Sequence, residues 1–446
     1  MNVLPKGWVE SSIEDIGTIT SGFGFPERFQ GNSTGELPFA KVSDISQAYR
    51  YGGGRLTSAA NYVSRGDLMA LKARTVSAGS IAFAKIGEAL KLNRRVLLGV
   101  EAVLDNNCMA VTPHHGAIFP QYLYRFMTTI DFAPFAVATT VPSIRKGDVG
   151  SFRVPLPPLV EQKRIVAKLD AVNAKTSRAR TELARIETLV SRYRQAVLNR
   201  AFSRELTREW PSEPLGQLSE MMFDGPFGSH LKSADYVLEG PRVVRLENIG
   251  ARVFVEEKRT HISEKKFQSL ERHLLKSNDL LFSSFVSEEI RACLFPPHVH
   301  FKAINKADCF CIRLNSDRVD PQFALFQLTS EATYLHFVQQ VHGATRPRIN
   351  LSQLKQYPIL APPLAEQQET VRRIESAFAK IDRLSIEAKR ALKLIEKLDE
   401  TILAKAFRGE LVPQDENDEP ATHLLARIRA GRESAPKAKR WRGGKA

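Results

Sequence analysis

From Pro157 to Leu206 nothing after the opening Pro157-Pro158 should break a helix, because neither Gly nor Pro recurs. Apolar residues fall at Ile165, Leu169, Val172, Ala179, Leu183, Ile186, Val190, Tyr193 and Val197, with Thr176 filling the one gap. The steps alternate four and three, a heptad seam held over four repeats, which predicts a coiled-coil helix. The stretch occurs twice. Adding 205 carries Pro157–Leu206 onto Pro362–Leu411 without a gap, and 17 of the 50 pairs are identical, so the copy is a duplication. The second seam reads Ile374, Ala377, Ile381, Leu384, Ala388, Ala391, Ile395, Leu398 and Ile402. Two matched stripes in one chain are expected to cover each other. A direct repeat of globule then helix closes as an antiparallel pair with a pseudo-twofold axis, one globule at each end.

Each helix follows a globule of mixed character. In the first, strand-like runs at 37–42, 80–86, 95–100 and 108–111 are punctuated by Gly and polar residues, and Pro120 opens a short helix to Met127. The second globule replays this order. Trp210 matches Trp8, Gly225-Pro226-Phe227-Gly228 stands where Gly22-Phe23-Gly24 stood, and Arg245–Ile249 answers Lys41–Ile45. Asn278–Phe282 answers Gly79–Phe83, and Thr345-Arg346-Pro347-Arg348-Ile349 answers Thr140–Ile144. The reading is α+β: globules at 1–156 and 207–361, spacer helices at 157–206 and 362–411, and a flexible acidic linker and basic tail at 412–446.

The net charge of +15 over 446 residues points to a polyanionic partner, nucleic acid before acidic membrane. Cys108, Cys293, Cys309 and Cys311 form no symmetric framework and read as buried, reduced thiols of a cytoplasmic protein. The N-terminus lacks a signal-peptide core and no apolar run approaches a membrane span. Enzyme chemistry finds no constellation. There is no phosphate-binding Gly-x-x-x-x-Gly-Lys-Ser/Thr loop, no Asn/Asp-Pro-Pro-Tyr segment for amino methylation, and no methyl-donor glycine loop. Cys309 and Cys311 with His298 and His300 have the wrong spacing for zinc and read as strand thiols beside a loop.

Two dissimilar globules, each followed by Pro-Pro-Leu-x-Glu-Gln and a long helix ending Ala-Phe-x-x-Glu-Leu, resemble the specificity subunit of a type I restriction-modification system. The resemblance runs to about Leu411. It implies a non-catalytic subunit in which each globule is a target recognition domain reading one half of a split double-stranded DNA site, with the helices setting the gap. It also implies docking of two methyltransferase subunits, which carry S-adenosylmethionine and modify adenine, and of restriction/translocase subunits. No cofactor or metal is expected in this chain. The seam from Ile165 to Val197 corresponds to about 48 Å of helix, or roughly 14 base pairs. Phosphate contacts set register and fewer side chains read bases. The candidates are Lys41, Arg74, Lys85, Arg94, Arg95, Arg145 and Lys146 in the first globule, and Arg245, Arg291, Arg346 and Arg348 in the second. Glu161, Gln162, Glu366 and Gln367 suit the helix dipole as first-turn residues. Their repetition equally fits a docking surface used twice. A solitary sequence-specific DNA-binding protein without enzymatic partners is the competing reading.

Overall fold

The computed structural model describes residues 4–137, 141–286, 288–297, 301–341 and 347–434. They form two compact units, Met1–Thr181 with Leu392–Ala446, and Glu182–Ala391. Both are α+β. Among the described residues no helix is long and apolar enough to cross a membrane.

In the first unit a five-stranded sheet runs in the order Gly17–Ser21, Cys108–Pro113, Ile81–Ala84, Arg95–Leu98, Arg55–Leu56. Neighbours are antiparallel except the last pair. Ile81–Ala84 is buried throughout, as its unbroken apolar run requires of a central strand. A smaller sheet places Leu37–Ala40 between Tyr62–Val63, antiparallel, and Val103–Leu104, parallel. Val9–Ser12 pairs with Arg153–Leu156, so first and last strands of the globule meet where the long helix begins.

The second unit repeats this plan. Its larger sheet runs Ser219–Phe223, Cys309–Leu314, Leu280–Ser283, Ala292–Leu294, and its smaller sheet holds Tyr236–Val244 between His261–Ile262 and Ala303–Asn305. Ser212–Pro214 pairs with Pro358–Leu360. The register is copied too: Ile81 faces Val111, and Leu280 faces Ile312. Two close approaches recur. A Cβ on Gly22 would lie 1.9 Å from the Asp105 carbonyl oxygen, and one on Gly225 would lie 2.2 Å from the Lys306 carbonyl carbon. Both positions therefore exclude a side chain, which explains the repeated glycine-rich patch.

The long helices span Leu159–Ala201 and Leu364–Phe407. Within each unit they pair antiparallel. In the first, Ile165 and Leu169 share a core with Ile402 and Ala406, and Arg180 bonds Asp399 at 2.5 Å. In the second, Leu198 packs with Val371 and Ile374, Glu187 approaches Lys389 at 3.6 Å, and Arg194 pairs with Asp382.

Two expectations need correction. The seam period is right, but two of its nine positions on the second helix, Leu384 and Leu398, are one residue out. The inward positions include Phe378, Ser385, Leu392 and Asp399, whereas Leu384 and Leu398 are 64% and 46% exposed. Tyr193 on the first helix is likewise 60% exposed. Interhelical ion pairs through Arg180 and Arg194 select this phase over the purely apolar one. Second, the stretch after Leu411 is not a loose linker. Residues Ala421–Ser434 form a helix whose Ala421, Leu424 and Leu425 are buried against Trp8, Ile13 and Ile16. The basic stretch 437–445 lies outside the described residues.

Candidate nucleic-acid interface

The Pro-Pro-Leu-x-Glu-Gln motif is a joint between helix and globule. Gln162 is fully buried; its Oε1 accepts from the Phe119 amide at 2.7 Å, and its Nε2 donates to the Pro157 carbonyl at 3.0 Å. Gln367, also fully buried, does the same in the other copy, accepting from the Asp320 amide at 2.9 Å and donating to the Pro362 and Arg318 carbonyls. Phe119 and Asp320 each precede the proline that opens the helices Pro120–Met127 and Pro321–Leu328. Each glutamine therefore pins the N-terminus of a globule helix to the start of a long helix. The neighbouring glutamates take indole N–H groups: Trp8 donates to Glu161 at 3.0 Å, and Trp210 to Glu366 at 2.8 Å. Burial pushes the Glu161 carboxyl up, partly offset by bonds from Gln414 and Trp8. Docking of a partner through Glu161, Gln162 and Gln367 is thereby corrected. These side chains are buried inside the chain's own joints, and only Glu366 is exposed.

The duplicated fold sorts the cationic candidates into matched pairs. Lys41 and Arg245 each precede a helical turn, with the backbone N–H bonded to Asp44 at 2.8 Å and to Asn248 at 2.9 Å. Arg94 and Arg291 each stand one residue before the strand that pairs with the central one. Arg94 donates to Ser46 Oγ at 3.0 Å, and Arg291 to the Leu246 carbonyl at 3.2 Å and Ser283 Oγ at 3.3 Å. In both globules the second arginine thus reaches the turn that the first cation opens. Lys85 is joined to the segment carrying Arg145 and Lys146, because its carbonyl accepts from the Ile144 amide at 3.0 Å. The equivalent bond, Ile349 to Ser284, brings in Arg348, whose guanidinium lies 3.5 Å from Asp308. Arg145, Lys146, Arg74 and Arg348 are exposed. Among the described residues no hydrogen bond or ion pair joins Arg74 to the others. Arg346 lies outside the described residues.

Arg95 is not part of this surface. It is fully buried, 4.0 Å above the Phe132 ring, and donates to the Asn93 and Ile130 carbonyls. Burial lowers its pKa to about 10. The cation is spent on the core and cannot reach a groove.

The sequence model of the family described as type I restriction modification DNA specificity domain matches residues 5–188 and 262–394. The chain belongs to that family. Family members are recognition components of type I restriction enzymes and not their catalytic subunits. Among relatives of this type I specificity chain, the EcoDI specificity subunit of Escherichia coli is 31% identical over 66% of this chain and 72% of its own. The EcoKI specificity subunit of E. coli K12 is 24% identical over 96% of each chain. A chain of a solved type I R-M system superposes with a TM-score of 0.68 at 19% identity, covering 92% of this chain and 100% of its own. The HsdS subunit from Thermoanaerobacter tengcongensis gives 0.59 at 20% identity, covering 92% and 98%. At such identities the likeness establishes the fold.

Two carboxylates on the specificity chain's second globule escaped sequence reasoning. Asp224 and Asp308 face each other near Arg348, and burial, against a bond from Gly225, raises the Asp224 pKa to about 6. No local signal marks them, since Asp224 is brought to Asp308 only by pairing of Ser219–Phe223 with Cys309–Leu314. Cys309, Cys311, Cys108 and Cys293 are free and buried; burial pushes the Cys293 thiol up to about 12, far from a reactive thiolate. His298 and His300 lie outside the described residues.

Proposed function

We propose that this chain recognises a bipartite double-stranded DNA site for a type I restriction-modification complex in the cytoplasm, each globule reading one half and the paired helices setting the gap. The carrying observation is the recurrence of a cation pair, Lys41 with Arg94 and Arg245 with Arg291, at equivalent positions of two globules whose sequences otherwise diverge. Recurrent cations suit a backbone that is the same at every site, and the differing residues suit half-sites that are not. The chemistry belongs to partners: two methyltransferase subunits that carry S-adenosylmethionine and modify adenine, joined by restriction/translocase subunits.

Docking of two like subunits is supported by a second recurrence. Leu189 and Tyr193 are 43% and 60% exposed, and their counterparts 205 residues on, Leu394 and Leu398, are 61% and 46% exposed. One turn apart, each pair forms an apolar patch outside the seam. Exchange of residues 1–156 for those of a relative tests the division of labour. Mapping of methylated adenines should then show one half-site changed and the other intact. A change in both halves would end the idea of independent readers.

A further inference from the structure

The two globules meet the long helices through junctions at equivalent places but of opposite chemistry. In the first unit Arg125, on the helix Pro120–Met127, donates to Asp170 of the first long helix at 2.7 Å. Asn173, with its amide oxygen turned towards the guanidinium, accepts at 3.0 Å. In the second unit the positions of Arg125 and Asn173 are taken by Phe326 and Phe378. Their rings meet edge to face, with centroids 5.6 Å apart at 82°.

To this aromatic junction the second globule adds an arm. Ile249 pairs with Phe254, and the turn between them is closed by Gly250 N–H to the Val253 carbonyl at 3.0 Å and Arg252 N–H to the Ala292 carbonyl at 2.8 Å. Arg252 sits at φ +64°, a left-handed conformation that glycine tolerates far better. Its guanidinium carbon lies 5.6 Å from the Phe378 ring centre. Arg194 of the first long helix lies 5.7 Å from the same ring and is itself neutralised by Asp382. Burial, and then the like charge of Arg194, press the Arg252 pKa down. Among the described residues no ion pair involves Arg252. An arginine held in a left-handed conformation and buried beside another arginine, whose like charge the more weakly acting Glu289 only partly offsets, opposes local stability. Against these costs stands the contact of its guanidinium with the Phe378 ring.

We propose that Arg252 is a positioning residue: by clamping the second globule to Phe378 it fixes the angle at which that globule presents its DNA face, and so limits how far the gap between half-sites can vary. The inference rests on the bipartite reading above. The first globule has no such arm, since its corresponding segment is the helix Val42–Tyr51.

The test uses the chain assembled with its methyltransferase subunits and DNA duplexes built from the mapped site, with the gap native, one base pair longer and one shorter. Arg252→Gly removes the side chain while suiting the backbone, and Phe378→Leu removes the ring while keeping the surface apolar. In both, the affinity ratio between native and altered gaps should fall by about tenfold, the scale of a desolvated cation–ring contact. Arg252→Lys and Phe378→Tyr should restore it. Discrimination against a mismatched half-site should stay at the wild-type value in all four. An unchanged gap ratio in folded Arg252→Gly overturns the proposal. So does a parallel loss of half-site discrimination, which would make Arg252 a reader or a general stabiliser. Failure of the underlying reading looks different: the methylation map would contain no divided site.

Discussion

Neighbouring arginines show how far single residues could be read. Arg94 and Arg95 are alike in the sequence, yet one lies at the turn beside Ser46 and the other is sealed over Phe132. Successive strand residues point to opposite faces, and charge does not say which face is the core. The glutamine of the helix motif was equally ambiguous, because a buried amide and an exposed one are the same letter. Asp224 belongs at this scale, and its behaviour is open to a direct check. Its pKa is raised from an ordinary 3.8 to about 6, so the folded chain holds this proton more tightly than the unfolded chain. Folding stability from this group therefore increases as pH falls from about 6 towards 4, and the destabilising charge is fully present above 6. For DNA the same protonation removes an anion beside Arg348. Affinity for the second half-site is expected to rise between pH 7.5 and 5.5, and Asp224→Asn should bind tightly at both values. Fluorescence anisotropy across that range decides it; a slope that survives in Asp224→Asn belongs to another group and sinks the assignment.

At the scale of elements the sequence was most legible where one period ran long. Both long helices, the short helix opened by Pro120 and its repeat at Pro321, and the strands Leu37–Ala40, Ile81–Ala84, Arg95–Leu98 and Cys108–Pro113 followed from apolar spacing and turn residues, whereas the order of strands within the sheets did not. The phase of the second seam did not, because Ile374, Ile381, Ala388, Ile395 and Ile402 are shared by both possible stripes. Choosing between them needs the partner helix, where Arg180 and Arg194 meet acids on the second helix. Hydrophobicity alone put Leu384 and Leu398 inward. Their exposure changes what the helices are for, since an apolar residue that the pair does not cover is available to another chain. Leu189→Ser with Tyr193→Ser should leave the thermal midpoint of the isolated chain nearly unchanged, because surface substitutions rarely exceed about 0.5 kcal/mol. Co-purification of one methyltransferase subunit should be lost, and the second should follow only when Leu394 and Leu398 are also replaced. If all four substitutions leave both subunits bound, the patches are not the docking sites.

For the whole molecule, duplication and positive charge were visible from the letters, but the way the chain ends was not. The helix Ala421–Ser434 is short, and the surface that receives it is built from residues some four hundred positions earlier. Glu416 pairs with Lys6 at 3.1 Å, the Ala421 amide donates to the Gly7 carbonyl at 2.9 Å, and Arg164 bonds Asp418 at 2.5 Å. Gln414 reaches Glu161, so the segment covers the Trp8 joint; the matching Trp210 joint has an exposed glutamate. The two copies therefore depend on the C-terminal segment unequally. Removing everything after Leu411 uncovers Leu424 and Leu425 contacts worth about 1.5–3 kcal/mol each, so the first unit should lose on the order of 4 kcal/mol. The contacts named here lie within the first unit, and the second unit should keep its stability. Hydrogen exchange resolves the two, with faster exchange expected at Val9–Ser12 and Ile13–Ile16 and no change at Ser212–Pro214 and Leu215–Leu218. Equal acceleration in both would mean that the segment stabilises the chain globally and not through the joint it covers.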